Sequence, residues 1–490
     1  MKSPQSFKRA ALAPLLAALV LAGCASVPPI DTSAVPAAPA AFKEGDGRWT
    51  TAAPAEAQAR GEWWKAFADP QLDALVQRAG ERNTDVQVAA SRLAQARALL
   101  QSADADRTPQ LGLAAGASRG TDANATTLPR PIGSQFNLGA TLSYELDLFG
   151  RLSGTSRAAA LDARQREALL QSTRLLVQAN TAQTYLALRA ADEELALMRD
   201  TVASYRNTER LVERRLEAGD VAELDLMRIR TQVASTESDA LALERRRAEL
   251  EHALAVLVGD AASAFSVAPQ PVWSTALPVI PAGVPSTVLA RRPDVSAAQA
   301  GMLAAQARVG VAKAAWFPAI SLTANGGQAS PELDDLFKWS ARSWGVGALL
   351  SLPIFDGGRR EAGERVAAAQ LDAALAGYRE QVLVAFRDVE DQLSALRLLS
   401  NQADAQGRAV AAAGRASKLS ESRYRNGLIS QIDLLDAQRS ELANKRQALQ
   451  VRSAQYQATV GLVRALGGSW DGVERVGSAE EPTDRVAAAR

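Results

Sequence analysis

Four short stretches of this chain alternate between apolar and small or polar residues. Leu111, Leu113, Ala115 and Ala117 share one face of the first; Phe136, Leu138, Ala140, Leu142, Tyr144, Leu146 and Leu148 share one face of the second. Ile320, Leu322 and Ala324 mark the third, and Trp344, Val346, Ala348, Leu350, Leu352 and Ile354 the fourth. A period of two predicts strands, over 109–118, 135–149, 318–325 and 343–355. Strands of this length with one apolar face suit a tilted membrane crossing. A sheet in lipid must close, because an open edge leaves backbone groups unpaired. Four strands are too few, since single-chain barrels begin at about eight. Three chains would supply twelve, so the pattern predicts an oligomer. Beyond the N-terminal segment no apolar run reaches the roughly 18 residues of a helical span.

A second periodicity follows each strand pair. From Arg151 to Ala218 there is no Pro, and the only Gly is Gly154. Within it Leu188, Ala191, Leu195, Met198, Val202 and Tyr205 are spaced as a heptad seam. Val382, Phe386, Val389, Leu393 and Leu396 repeat that spacing in the second half. A helix of this length would reach about 100 Å, far more than a compact globule uses. The chain then turns at Gly219 or Gly427 and returns as a shorter helix ending near Gly259 or Gly467. The helix ahead of each strand pair could stack end to end with the returning one.

The whole unit is written twice. Gly139, Leu142, Gly150 and Arg151 recur 208 residues later as Gly347, Leu350, Gly358 and Arg359. Gly219, Asp225-Leu226 and Gly259 recur at the same offset as Gly427, Asp433-Leu434 and Gly467. Asp85-Val86 precedes Pro109 by 24 residues, as Asp294-Val295 precedes Pro318. The organisation expected is a segment at 1–23, a tether at 24–60, a first repeat at 61–268, a connector at 269–284, a second repeat at 285–470 and a tail at 471–490. The predicted fold class is a mixed α+β membrane protein: an internally duplicated long-helix coiled-coil tunnel with four barrel strands per chain.

Composition narrows the chemistry. Lys and Arg total 55 against 54 Asp and Glu, a balance that gives no reason to expect nucleic-acid binding. One His and one Cys nearly exclude disulfides, Cys/His metal sites and His-based catalysis within a chain. No metal is expected, and no cofactor apart from a covalent lipid.

That lipid is suggested by the N-terminus. Lys2, Lys8 and Arg9 precede an apolar run from Ala10 to Ala22, which reads as a secretory signal. The run ends in Leu21-Ala22-Gly23-Cys24, similar to a bacterial lipobox, so cleavage would leave lipidated Cys24 as the first residue. Ala25, rather than Asp, then favours the outer membrane. Several acyl chains anchor stably where one does not.

Several motifs together resemble the TolC-like outer-membrane factors, most closely the lipidated branch that includes OprM and the NodT-type proteins. Trp63-Trp64 with Phe67 and Asp69-Pro70 matches the family's opening; Ser143 to Arg151 matches its second-strand exit. Pro281 to Pro285, Arg291 to Val295, Leu352 to Arg359 and Ala465 to Trp470 match further segments. The resemblance covers about 60–470. It implies a homotrimer whose twelve-stranded barrel sits in the outer membrane, with a helical tunnel in the periplasm. It also implies a periplasmic adaptor and an inner-membrane pump, often of the proton-driven RND class, as partners. The implied function is the passive exit duct of a tripartite efflux system for small molecules, not an enzyme.

The resemblance places the hairpin turns at Gly219 and Gly427 where family members constrict. Asp433 and Asp436, at i and i+3, share a helix face, and threefold symmetry would make them an acidic ring that attracts cations. They match the acidic ring of the closed family entrance. Ile432 matches an apolar constriction residue and Arg439 a neighbouring gate residue. Asp225 and Tyr424 match positions that bond between the paired hairpins. Ile429 departs from the pattern, standing where the best-studied gate has Arg. The same acids also fit a plainer role as solvated residues of a helix N-terminus.

Gly116-Ala117-Ser118-Arg119-Gly120 fits a hydrolase nucleophile elbow, but it ends a strand before a loop, and His252 is the only candidate base. No catalytic residue is expected. Arg291-Arg292 reads as structural. Loops 119–134 and 325–343 would face the cell exterior, where Trp339 and Trp344 fit an interfacial belt. Two rival functions stay open: a type I protein-secretion channel of the same fold, and a periplasmic helical adaptor, which leaves the four strands unexplained.

Overall fold

The computed structural model describes residues 29, 36–45, 61–121, 132–278, 280, 288 and 291–468. The signal segment, Cys24, most of the tether, part of the connector and the tail lie outside them. Helices α1 (Pro70–Arg82) and α2 (Thr84–Ala105) lead into strands β1 (Gln110–Thr121) and β2 (Ile132–Leu146). The long helix α3 (Arg151–Glu217) and its return α4 (Glu223–Leu257) close the first repeat. The second repeat follows the same order: α5 (Pro293–Ala314), β3 (Ala319–Ser330), β4 (Arg342–Ser351), α6 (Arg359–Arg425) and α7 (Gln431–Ala465). Both long helices have 67 residues and both returns 35. No described helix is long and apolar enough to cross a membrane.

The chain forms two compact units. One holds residues 90–168 and 297–381, with all four strands. They make one antiparallel sheet in the order β1-β2-β3-β4, so β1 and β4 are unpaired edges. Register sorts the faces. Leu111, Leu142, Ala324 and Val346 form one row, and Gly112, Thr141, Asn325 and Gly345 the row beside it on the other face. The apolar face is uncovered: Leu113 is 79% exposed and Val346 77%.

The strands extend further toward their hairpin turns than side-chain alternation alone predicts, to Thr121 and Ser330. Backbone pairing does not require apolar side chains, and Gly326, Gly327 and Gln328 still pair with β2. At the other end pairing stops earlier than the alternation, at Leu146 and Ser351. There Asp147 turns to cap α3, accepting from the N–H groups of Leu152 (3.0 Å) and Ser153 (2.7 Å). Burial pushes the Asp147 carboxyl up, but the Ser153 hydroxyl and these N–H groups outweigh it and hold it below its ordinary value. Asp356 does the same for α6, accepting from Gly358 and Arg360. These two acids explain the strand-exit motifs of both repeats.

The other unit holds residues 37–89, 169–296 and 382–490, insofar as they are described. The heptad seam of α3 is its spine: Leu188, Ala191, Leu195, Met198, Val202 and Tyr205 are all buried. The opening motif also becomes physical here. Trp63, Trp64 and Phe67 are buried, and Asp69 caps α1 while accepting from the Tyr185 hydroxyl (2.8 Å) and the Thr275 hydroxyl (2.9 Å). Burial pushes the Tyr185 phenol well above its usual range.

The end-to-end stacking of helices rests on two unlike residues. Asn83 accepts from the N–H groups of Asp85 and Val86 at the start of α2, and donates to the Leu257 carbonyl at the end of α4 (3.0 Å). In the second repeat Arg292 stands in that place. It reaches the Ala465 carbonyl at the end of α7 (3.4 Å) and pairs with Asp294 (2.6 Å) and Asp388 (3.2 Å). Gly259 and Gly467 complete the joints: a Cβ there would lie 2.7 Å from the Arg82 carbonyl and 2.8 Å from the Arg291 carbonyl.

Candidate functional site

Both hairpin turns close in the same way. Gly219 and Gly427 adopt left-handed backbone (φ 79° and 70°). The following N–H groups reach back to the long helix, Asp220 to the Arg215 carbonyl (2.8 Å) and Leu428 to the Arg423 carbonyl (2.9 Å). Glycine supplies this conformation without a Cβ penalty.

The return helices start differently. In α7 Ser430 is the N-cap and forms a reciprocal capping box with Asp433. The Asp433 carboxylate accepts from the Ser430 hydroxyl (2.7 Å) and N–H (3.1 Å), and these bonds hold its pKa below the ordinary value. In α4 the equivalent N-cap is Ala222, which has no side chain to offer. Asp225, half-buried at the equivalent position, pairs instead with Arg228 (3.5 Å).

The start of α7 has two faces. Gln431, Leu434 and Leu435 are buried; Ile432, Asp433, Asp436 and Arg439 are exposed. The two acids therefore lie on one accessible face with Ile432 beside them, as the spacing requires. Neither is solitary: Asp433 is in the capping box, and Asp436 lies 3.6 Å from Arg439.

Within one chain Asp225 and Tyr424 do not hydrogen-bond each other. The Tyr424 hydroxyl is buried without a hydrogen-bond partner, and the Arg215 guanidinium lies over its ring at 5.1 Å. Other polar bonds join the two hairpins: Arg446 of α7 donates to Glu194 of α3 at 2.7 Å, and one lies nearer the tip. Arg439 Nε donates to Gln232 Oε1 at 2.6 Å, linking α7 to α4. An apolar cluster lies beneath, with Leu435 packed among Tyr205, Val212, Leu226, Ile229 and Val233. Gln232 carries no signal in the sequence: it is one neutral polar residue in a helix rich in polar ones.

Deeper in the same unit lies a buried charge network. Arg189 donates to Asp192 (2.8 Å), to the Ala268 carbonyl (2.9 Å) and to Gln71 (2.6 Å). Asp192 also accepts from Arg247 (2.7 Å) and from the Gln270 N–H (3.1 Å). This network fastens Ala268, at the end of the first repeat, and Gln270, at the start of the connector, to the long helix. It is structural, and no spacing in the sequence announces it.

Among the described residues no group of three or more His, Cys, Asp or Glu could hold a metal. Gly116 to Gly120 runs within β1, not at a strand-to-helix elbow, and His252 is exposed on α4.

The comparisons with known proteins agree with this architecture. The model of the family described as outer membrane efflux protein matches residues 75–260 and 284–468, one stretch per repeat. The chain is 35% identical over 465 residues to the pyoverdine export outer membrane protein OpmQ of Pseudomonas aeruginosa, covering 93% of this chain and 96% of that one. It is 34% identical to the solvent efflux pump outer membrane protein SrpC of Pseudomonas putida, covering 93% and 98%. It is 32% identical to the cation efflux system protein CusC of Escherichia coli, covering 94% and 98%. Among solved structures, the outer-membrane channel OprN superposes with a TM-score of 0.84 at 30% identity, over 91% of this chain and all of that one.

Proposed function

The chain belongs to the outer membrane efflux protein family, and from that premise we propose that it works as a homotrimeric exit duct fed by a periplasmic adaptor and an RND-class inner-membrane pump. Its outer-membrane location and its role as an efflux channel come with the family. The trimer, the adaptor, the class of pump and a lipid anchor on Cys24 are the finer reading.

One observation carries it. The four-stranded sheet exposes an apolar face and two unpaired edges, which lipid does not tolerate in an isolated chain. Joining the β4 edge of one copy to the β1 edge of the next removes both edges, and three copies give twelve strands. The opposite face then lines the lumen with Gly112, Thr141, Asn325 and Gly345, all small and uncharged. The relatives export cargo as different as solvent, pyoverdine and cations, and a lining of this kind discriminates little among them. Selection then belongs to the pump, and the duct itself does no chemistry.

The test is purification of the full-length protein in detergent, imaging of the particles, and reconstitution into planar bilayers. A threefold particle that conducts ions supports the reading. A monodisperse monomer without conductance sinks it.

A further inference from the structure

The apolar face of the sheet is interrupted at its hairpin end by two cations. Leu111, Leu142, Ala324 and Val346 form one row; Leu113, Ala140, Gly326 and Trp344 form the next toward the turns. The row after that is Ala115, Leu138, Gln328 and Arg342. Arg119, opposite Ser134, lies two rows further on the same face. Each row advances about 6.8 Å along the strand. A guanidinium facing lipid is strongly unfavourable at the bilayer midplane and nearly neutral at the interface. These two arginines therefore mark the headgroup depth at the exterior end.

Their surroundings are those of an interface. The Arg342 guanidinium lies over the Trp339 ring, 3.5 Å from its centroid. Trp339, Phe337 and Trp344 are exposed by 78%, 72% and 79%. Aromatic rings of this kind prefer the membrane boundary. Of the acids in the same turn, Asp335 is paired with Lys338. A guanidinium held on a ring at headgroup depth is well suited to bind a phosphate.

Strand order brings the two cations together between copies. Arg119 is on the β1 edge and Arg342 on the β4 edge, so closure places them on adjacent strands across each seam. Resting on the trimer reading above, we propose that each seam binds a phosphorylated lipid headgroup of the outer leaflet. Arg342 of one copy and Arg119 of the next hold the phosphate, and Trp339 and Trp344 pack at the boundary with the acyl chains. The ligand is a structural lipid that seals the joint between subunits.

The experiment is native mass spectrometry of the full-length protein titrated with bis-phosphorylated lipid A, which counts subunits and lipids in one particle. Three subunits carrying up to three lipids are expected. Arg119→Gln or Arg342→Gln should each weaken binding about tenfold, equivalent to about 1.4 kcal/mol, while Arg342→Lys retains most of it and inorganic phosphate does not compete. Particles mixing the two Gln variants should regain one binding seam, because one pairing of their edges restores both arginines. Binding by both Gln variants as tight as that of the unaltered protein, equally tight binding of a phosphate-free lipid, or no recovery in mixed particles would overturn the proposal. A subunit count other than three overturns the trimer reading alone, since lipid per seam is read from the same spectrum.

Discussion

Arg439 and Gln232 join the return helices of the two repeats through one short hydrogen bond, 2.6 Å from guanidinium to amide oxygen. It lies above the cluster that seats Leu435 against α4. If the hairpins part when the duct opens, this bond must break. Arg439→Ala and Gln232→Leu should therefore each favour the open form by about 1 kcal/mol, read as higher mean conductance in planar bilayers. The double variant should go no further than the stronger single one. Additive effects would mean that the two residues act separately.

Asp433 and Asp436 occupy the exposed face of α7 beside Ile432. Replacing both with Ala should relieve block by multivalent cations and reduce cation preference in the same recordings. Unchanged block and selectivity would rule out an acidic ring and leave the capping role of Asp433 as its function.

That capping role has its own pH signature. The Ser430 hydroxyl and N–H hold the Asp433 carboxyl below its ordinary value of 3.8. A lowered folded-state pKa means stability fully present above 3.8 and lost as pH falls through the folded value. Hydrogen exchange at the first turn of α7 should quicken in that acid range. Asp433→Asn should already exchange faster at neutral pH and show no further acid step.

Asp192 has almost no exposure and sits between Arg189 and Arg247. Asp192→Ala would strand Arg189, also buried, without its counter-charge. Breaking such a pair costs about 3–5 kcal/mol, and the melting transition followed by circular dichroism should fall accordingly. Exposed pairs such as Arg245–Glu249 should respond by about 1 kcal/mol or less.

Gly327 and Gly326 are neighbours with opposite tolerance. A Cβ on Gly327 would lie 2.5 Å from the Leu138 carbonyl oxygen, whereas one on Gly326 meets nothing within 4 Å. Gly327→Ala should disturb the β2–β3 pairing and lower the yield of assembled protein in outer-membrane fractions. Gly326→Ala should assemble normally.

Much of this protein was legible from local patterns. Period-two alternation located all four strands, the heptad seam from Leu188 to Tyr205 located the spine, and glycine at 219 and 427 located the turns. The 208-residue repeat also implied that each helix has a counterpart. These features are short-range: each depends on side-chain spacing along one element and on the backbone freedom of single residues. The expectation of more than one chain followed from strand number and the chemistry of lipid.

Which polar groups meet was decided by the tertiary structure. Asn83 and Arg292 occupy equivalent joints in the two repeats, yet nothing in either residue type announces a shared task. Asp225 and Asp433 are equivalent in the repeat, but Ala222 against Ser430 sends one to Arg228 and leaves the other in a capping box. Tyr424 meets Arg215 of the other hairpin through its ring, and Arg439 bonds Gln232 nearby. Such pairings depend on how two distant helices are rotated and set against each other. That is a sum of many packing contacts along the seam, and no single stretch of sequence contains it.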